Sequence, residues 1–280
     1  MLGRHSIKAG GAGKTLRVRS AYESHTLAPV PPAPITLPGS IEMLRDESVK
    51  AQLRAIGERV RDIIRTGVSM SRAEGTFVSL LAAHAVAVKI FEAESAAYFK
   101  FVSGGEALKA SLACAPGCTF CCHLYVEVTP LEVIALWNAL RDDRLLKQRQ
   151  AIASLAPQVS GLGPEPRRFA RLPCPLLVDG QCGVYETRPF ACRGLYSTSA
   201  VACEAVLNTP LGQILPQIRS PAVPRALAAV LGVGINAALG DTGLQNQTLE
   251  LVSALNTLEC DATGASRWLA GEQVFSPMPG

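Results

Sequence analysis

Aromatic residues are scarce in this chain, 5% of its 280 positions, and charge of either sign is weak. The formal charge is +4, and the Lys and Arg residues are scattered rather than clustered. That distribution excludes the basic patch or stripe by which a protein binds nucleic acid. No secretory signal peptide is visible, the chain is long, and its cysteine count of 9 is odd. A short secreted disulfide framework is therefore excluded, and the adjacent pair Cys121-Cys122 would strain the backbone if bridged. A reducing cytoplasm is the expected setting. No convincing membrane span is present: Thr76 to Phe91 contains Ser79, His84 and Lys89, and Ala226 to Leu239 is short and contains Asn236. Both read as buried helices. A true phosphate-binding loop is also missing. GGAGKT resembles one, but the glycine required five residues before Gly13 is Lys8, and no apolar strand precedes it. No internal repeat appears.

What is present favours helix. About half the residues are hydrophobic, with Ala and Leu abundant, and a chain of this length can bury a core without covalent staples. Residues 1–40 read as a flexible tail, Gly- and Pro-rich and without a hydrophobic period. Arg4, Lys8, Lys14, Arg17 and Arg19 precede the first acid, Glu23, which is also the pattern of an organellar transit peptide. Residues 41–275 read as a single helical domain. Val49, Leu53, Ile56, Val60 and Ile63 form one apolar stripe on a helix. A second long helix is expected from about Gly75 to Val102. Thr129-Pro130-Leu131-Glu132 predicts a helix start, with Thr as N-cap, Pro at the first helical position and Glu reaching back. That helix runs to about Leu140, and another stretch follows Asp143.

Gly161 to Pro173 reads as loop. Asp179-Gly180, between Leu176-Leu177-Val178 and Gln181 to Tyr185, predicts a tight hairpin. Thr187 is then expected to cap a short helix from Arg188 that carries Cys192. Two apolar helices follow, about Pro221 to Leu239 and Gly243 to Glu259, with fraying from Asp261. The expected class is mainly α, with one small β-hairpin inside a cysteine-rich, metal-binding middle at about 110–205.

Eight of the cysteines fall between Cys114 and Cys203. The first group is Cys114-x3-Cys118-x2-Cys121-Cys122. The second is Cys174-x7-Cys182-x9-Cys192, with Cys203 further on. Thiolates suit zinc and iron–sulfur centres, and gaps of two or three residues let one turn of backbone present two sulfurs to the same centre. A helix N-terminus would lower the pKa of Cys192, and Arg188 and Arg193 flank it, either as partners of the thiolates or as surface residues. The adjacent side chains of Cys121 and Cys122 should diverge and serve two centres, or one centre and the core. His123 is a ligand or a hydrogen-bonding neighbour. Cys260 reads as a small buried hydrophobe beside Leu251 and Leu255.

Together, CAPGCTFCC and CPLLVDGQCGVYETRPFACR resemble the CxxCxxCC (YkgJ-type) cysteine-cluster family, described as zinc- or iron-chelating and including flagellin lysine N-methylase. The resemblance covers about residues 110–200. It implies Cys118, Cys121, Cys122, Cys174, Cys182 and Cys192 as metal ligands, with Cys114 added at an altered spacing, and Arg188, Pro189 and Arg193 as accompanying framework. Cys114-x3-Cys118-Thr119-Phe120-Cys121 is also locally similar to the cysteine motif of radical S-adenosylmethionine enzymes, which place it after the first strand of a β/α barrel. The expected function is metal binding, with an iron–sulfur cluster or zinc held by thiolates and an attached redox or modification role left open. Protein lysine methylation is one alternative, although no glycine-rich loop follows a strand. A structural zinc module that engages a partner protein is the other. Cys118, Cys121, Cys174, Cys182 and Cys192 are expected to bring most of their sulfurs within about 4–7 Å of one another, as shared metal coordination requires.

Overall fold

The structure, a computed structural model, describes residues 33–42, 45–115 and 117–276; most of the expected flexible tail lies outside them. From Pro34 onward the described residues form one compact unit. It is 63% helix and 3% strand, so helix packing carries the core. In chain order the first helices are α1 (Gly39–Glu42), α2 (Glu47–Glu74), α3 (Val78–Phe101) and α4 (Gly105–Ala110). Then come β1 (Glu127–Val128), α5 (Pro130–Ala139), α6 (Leu146–Val159) and α7 (Pro164–Ala170), followed by the hairpin strands β2 (Leu177–Val178) and β3 (Gln181–Cys182). The chain closes with α8 (Phe190–Arg193), α9 (Ala200–Asn208), α10 (Ala222–Asp241), β4 (Leu249–Glu250), α11 (Leu251–Cys260) and α12 (Gly264–Leu269).

Helix α2 begins where the Asp46 carboxylate accepts from the Ser48 and Val49 amides at 2.9 and 3.2 Å, and it stops at Gly75 in the left-handed region. Its buried face runs through Leu53, Gly57, Val60, Ile64, Gly67 and Val68. Ile56 and Ile63 of the expected stripe are only partly buried. The true face is turned because it contains glycines as well as large apolar residues. Gly57 is required by contact: a Cβ there would stand 2.9 Å from Val230 Cγ1 and collide with Ile35. Gly234 of α10 lies against the Gly57 backbone, so α2 and α10 cross backbone to backbone. Arg61 locks the same crossing with a two-pronged pair to Asp241, at 2.6 and 2.7 Å.

Helix α10 packs on α2, α3 and α8. By length and composition it is the one helix among the described residues that could cross a membrane, and half of its apolar window is buried inside the fold.

The α5 start has the expected capping box. Thr129 Oγ1 accepts from the Glu132 amide at 3.2 Å, and the Glu132 carboxylate accepts from the Thr129 amide at 2.7 Å. The expected hairpin is also present, with Leu177 opposite Cys182 and Val178 opposite Gln181. Asp179 and Gly180 both have positive φ, 48° and 75°, as a two-residue turn of this hand requires.

Several expectations are corrected. The loop at 161–173 contains α7, entered through Pro164 and held by buried Arg167 and Arg168. A second two-stranded antiparallel sheet pairs Glu127 with Glu250 and Val128 with Leu249, so the expected second C-terminal helix begins only at Leu251. Thr187 does not cap α8; it ends a 3₁₀ turn, Tyr185–Thr187, and Pro189 precedes the helix. The described chain beyond Asp261, through residue 276, does not fray. Trp268 of α12 is fully buried, and its indole N–H donates to the Gln245 carbonyl at 3.2 Å. The Gln245 side chain accepts from the Val274 and Phe275 amides, both at 2.9 Å, and donates to the Phe275 carbonyl at 2.6 Å. One buried amide thus staples the final turns to the core, a tertiary bond that local pattern does not carry.

Candidate metal centre

Each cysteine-bearing segment is short and is fixed by the backbone of another. Cys114 follows α4, where the Ala113 amide donates to the Ser197 carbonyl at 2.8 Å and the Ser197 amide points at Cys114 Sγ at 3.3 Å. Gly117, with φ 89°, turns the chain back toward Cys118. Cys121 and Cys122 sit on a single 3₁₀ turn, Phe120–His123. The Cys174 amide donates to the Cys122 carbonyl at 2.6 Å, which joins the first cysteine group to the start of the hairpin. Cys182 is on β3 and Cys192 is on α8. Helix α9, which carries Cys203, packs on the 3₁₀ turn.

The two groups therefore meet, and Cys121 stands where they meet. Its thiol is within electrostatic reach of Cys114, Cys174, Cys182 and Cys192, and within hydrogen-bonding reach of Cys122. That hydrogen bond is the first cause holding the Cys121 pKa far above the ordinary thiol value, ahead of desolvation. The neighbouring thiol thus carries the largest share, and loss of water adds to it. Burial, then neighbouring thiols, pushes Cys174 up to about 11. The same two causes raise Cys182 and raise Cys192 strongly. The expected lowering at Cys192 is corrected: α8 is a single turn, and its weak dipole is outweighed by burial and by the thiols of Cys174, Cys121 and Cys182. Cys114 is raised by partial burial and by Cys118, Cys121 and Cys203.

Cationic side chains surround the thiols. Arg188 lies over the Tyr185 ring at 4.1 Å, and its charge reaches Cys121, Cys182 and Cys192. Arg193 is 3% exposed, so it is no surface residue. It donates to the carbonyls of Arg188, at 2.9 Å, and Glu186, and pairs with Glu92 of α3 at 3.0 Å. Arg167, unremarked in the sequence, donates to the His123 carbonyl at 3.3 Å and the Leu172 carbonyl at 2.7 Å. It thereby spans both cysteine groups, and its charge reaches Cys174. Arg168 ties α7 to the end of α9 through the carbonyls of Val206 and Thr209, at 2.7 and 2.9 Å. Glu132 is likewise more than a cap: its buried carboxylate also accepts from the Phe190 amide at 2.7 Å, orienting the helix that carries Cys192. Only its place in the capping box was visible in sequence.

His123 is a hydrogen-bonded neighbour through Nδ1, 3.1 Å from the Thr119 carbonyl. A donating Nδ1 leaves Nε2 as the basic nitrogen. Cys260 is exposed at the end of α11, not buried, because the apolar face of that helix passes through Leu251, Val252, Ala254, Leu255 and Leu258 instead.

Among the described residues, no three His, Cys, Asp or Glu side chains already stand in an arrangement that could hold a metal ion. Proximity of the segments is present, but ligand spacing of the sulfurs around a common point is not. The donor chemistry fits a soft metal: many thiols in mutual range, no carboxylate among them, and guanidinium groups at the margin. The described strands form two two-stranded antiparallel sheets, so no β/α barrel follows Cys121 and the likeness to radical S-adenosylmethionine enzymes stays local. In comparison with known proteins, no family model, curated protein or solved structure matches the chain. The cysteine-cluster resemblance thus rests on its own motif residues.

Proposed function

We propose that this chain is a cysteine-cluster metal protein, holding an iron–sulfur cluster or zinc through Cys114, Cys118, Cys121, Cys122, Cys174, Cys182 and Cys192 in a reducing compartment. The observation that carries this reading is the convergence of two cysteine groups, distant in sequence, around Cys121. Cys121, Cys174, Cys182 and Cys192 lie in one another's field, and four thiolates are what a tetrahedral zinc site or an iron–sulfur cluster takes. Cys118 and Cys203, like Cys121, lie in the field of Cys114, which makes Cys114, Cys118 and Cys203 the natural donors of a second centre. Thiols placed this close together resist ionisation one by one. A bound cation reverses that, because a coordinating thiol is deprotonated outright. When bound, an iron–sulfur cluster would supply one-electron transfer, and zinc a structural cross-link. Arg188 and Arg167 offset the negative charge of the thiolates, while Glu132 and Arg193 hold α8 in place.

The test is metal, sulfide and zinc analysis of anaerobically purified protein, with an absorption spectrum, since iron–sulfur clusters are coloured and zinc is not. About one metal centre or more per chain is expected. Cys182→Ser and Cys192→Ser should lose it, because an alcohol is a far weaker ligand than a thiolate. Cys260→Ser should retain it, with stability changed by no more than about 0.5 kcal/mol as for other exposed substitutions. A metal-free protein that melts normally, or equal loss from Cys260→Ser, would overturn the reading.

A further inference from the structure

One face of α3 presents Phe91, Glu92, Ser95 and Phe99 to a cleft of about 220 Å³, closed opposite by Lys109, Leu112, Arg188, Arg193 and Tyr196. Its composition is uneven. The rings of Phe91, Phe99 and Tyr196, with Leu112, make it apolar, and Phe99 meets Tyr196 edge-on at 5.9 Å. Three cationic side chains line it against one carboxylate, Glu92, which already pairs with Arg193. Among the described residues, Arg188 and Lys109 have no carboxylate at ion-pair distance. Two buried polar atoms on this lining also lack partners: the Ser95 hydroxyl, on a residue 5% exposed, and Arg188 Nε. Buried donors are ordinarily satisfied by protein, water or ligand, so these two leave the lining short of acceptors. No cysteine lines the cleft.

We propose that this cleft binds a small organic anion, a carboxylate carried on an apolar or aromatic body. The carboxylate would take hydrogen bonds from Arg188, Lys109 and the Ser95 hydroxyl, and guanidinium is the group best shaped for it. The body would lie against Phe91, Phe99 and Tyr196. The volume lies below the ~300–1,000 Å³ of sites that take drug-sized molecules, which limits the ligand to the size of one ring with its acid group. The cleft shares Arg188 with the surroundings of the cysteines, but it has no cysteine in its lining and the readout below does not involve metal.

The experiment is calorimetric titration of the full chain with benzoate, with neutral benzamide and with inorganic phosphate. Benzoate should bind with a Kd of about 1 mM or tighter, and benzamide and phosphate at least about tenfold more weakly. Arg188→Gln should weaken benzoate by roughly tenfold or more, the loss expected for a charge-assisted hydrogen bond. Because Arg188 also packs on Tyr185, Lys109→Gln, at an exposed position, is the second variant, with a weakening of about threefold or more expected. No heat from benzoate at ~10 mM would overturn the proposal. So would benzamide or phosphate matching benzoate, or wild-type affinity in both variants.

Discussion

His84 shows at the scale of one residue how burial acts on chemistry. It lies inside α3, edge-on to the Phe190 ring at 5.8 Å, with Nε2 buried and unpartnered. Burial, and then the charge of Arg193, lowers its pKa from 6.5 to about 4. Folding therefore requires the neutral imidazole. The unfolded chain takes up a proton as pH falls through 6.5, while the folded chain resists until about 4. The stability tied to this residue is present above pH 6.5 and lost as pH falls toward 4. The difference corresponds to about 3 kcal/mol over that window. Denaturant unfolding at pH 7, 6, 5 and 4 should show this decline in the wild-type chain, and His84→Leu should flatten it. An equal acid slope in both would mean that other groups govern acid stability. Glu132 is the opposite case: burial raises its pKa against the hydrogen bonds from Thr129 and Phe190 that favour its charge. The helix that holds His84 reads as buried, but which of its faces takes the histidine is not local information, and the second partner of Glu132 lies 58 positions away.

Between elements, the α2–α10 crossing depends on what is missing from two side chains. Gly57 and Gly234 let the backbones meet, and Ile35, Val60 and Val230 fill the flanks. Gly57→Ala should destabilise the chain by ~1–3 kcal/mol, the range for overpacking a tight contact. Gly232 of α10 has nothing within 4 Å of where its Cβ would stand. Gly232→Ala should instead be neutral or stabilising by up to about 1 kcal/mol, through helix propensity alone. Thermal melts of the two variants compare contact with propensity on one pair of helices, and equal effects would deny the close crossing. This scale also divides what the sequence reveals from what it conceals. The α5 capping box and the Asp179-Gly180 turn were legible to the residue because their signals are local. The α2 stripe was legible as a helix but turned from its true face, since glycines count as gaps in a hydrophobic period although here they are contacts. Helices α7 and α12 were missed because their stability comes from Arg167, Arg168, Trp268 and Gln245, which bond to distant carbonyls.

Across the whole molecule, the helical core and the cysteine-bearing segments are built differently. α2, α3, α10 and α11 pack through aliphatic side chains such as Val60, Ile64, Leu80, Leu231 and Leu255, all essentially buried. The segments around Cys114 to His123 and Leu172 to Arg193 have little regular structure; hydrogen bonds from arginines, the Glu132 carboxylate and single backbone amides hold them. That the two cysteine groups meet was an expectation from their donor chemistry. The means by which they meet, Cys174 N–H to the Cys122 carbonyl with Arg167 bridging to the His123 carbonyl, is tertiary and invisible to motif reading. If thiolate–metal bonds complete this region, removing them should loosen it locally. Chelation under reducing conditions should leave most of the far-ultraviolet helical signal, while amide hydrogen exchange accelerates across residues 114–124 and 172–193. Exchange in α2 and α10 should stay slow, because their protection comes from aliphatic packing and the Arg61–Asp241 pair. Loss of helix throughout the chain on chelation would show that the metal supports the entire fold, as in domains that are unfolded without it. Unchanged exchange in the cysteine segments would show that the arginine and carboxylate contacts suffice, leaving the thiols no structural metal to hold.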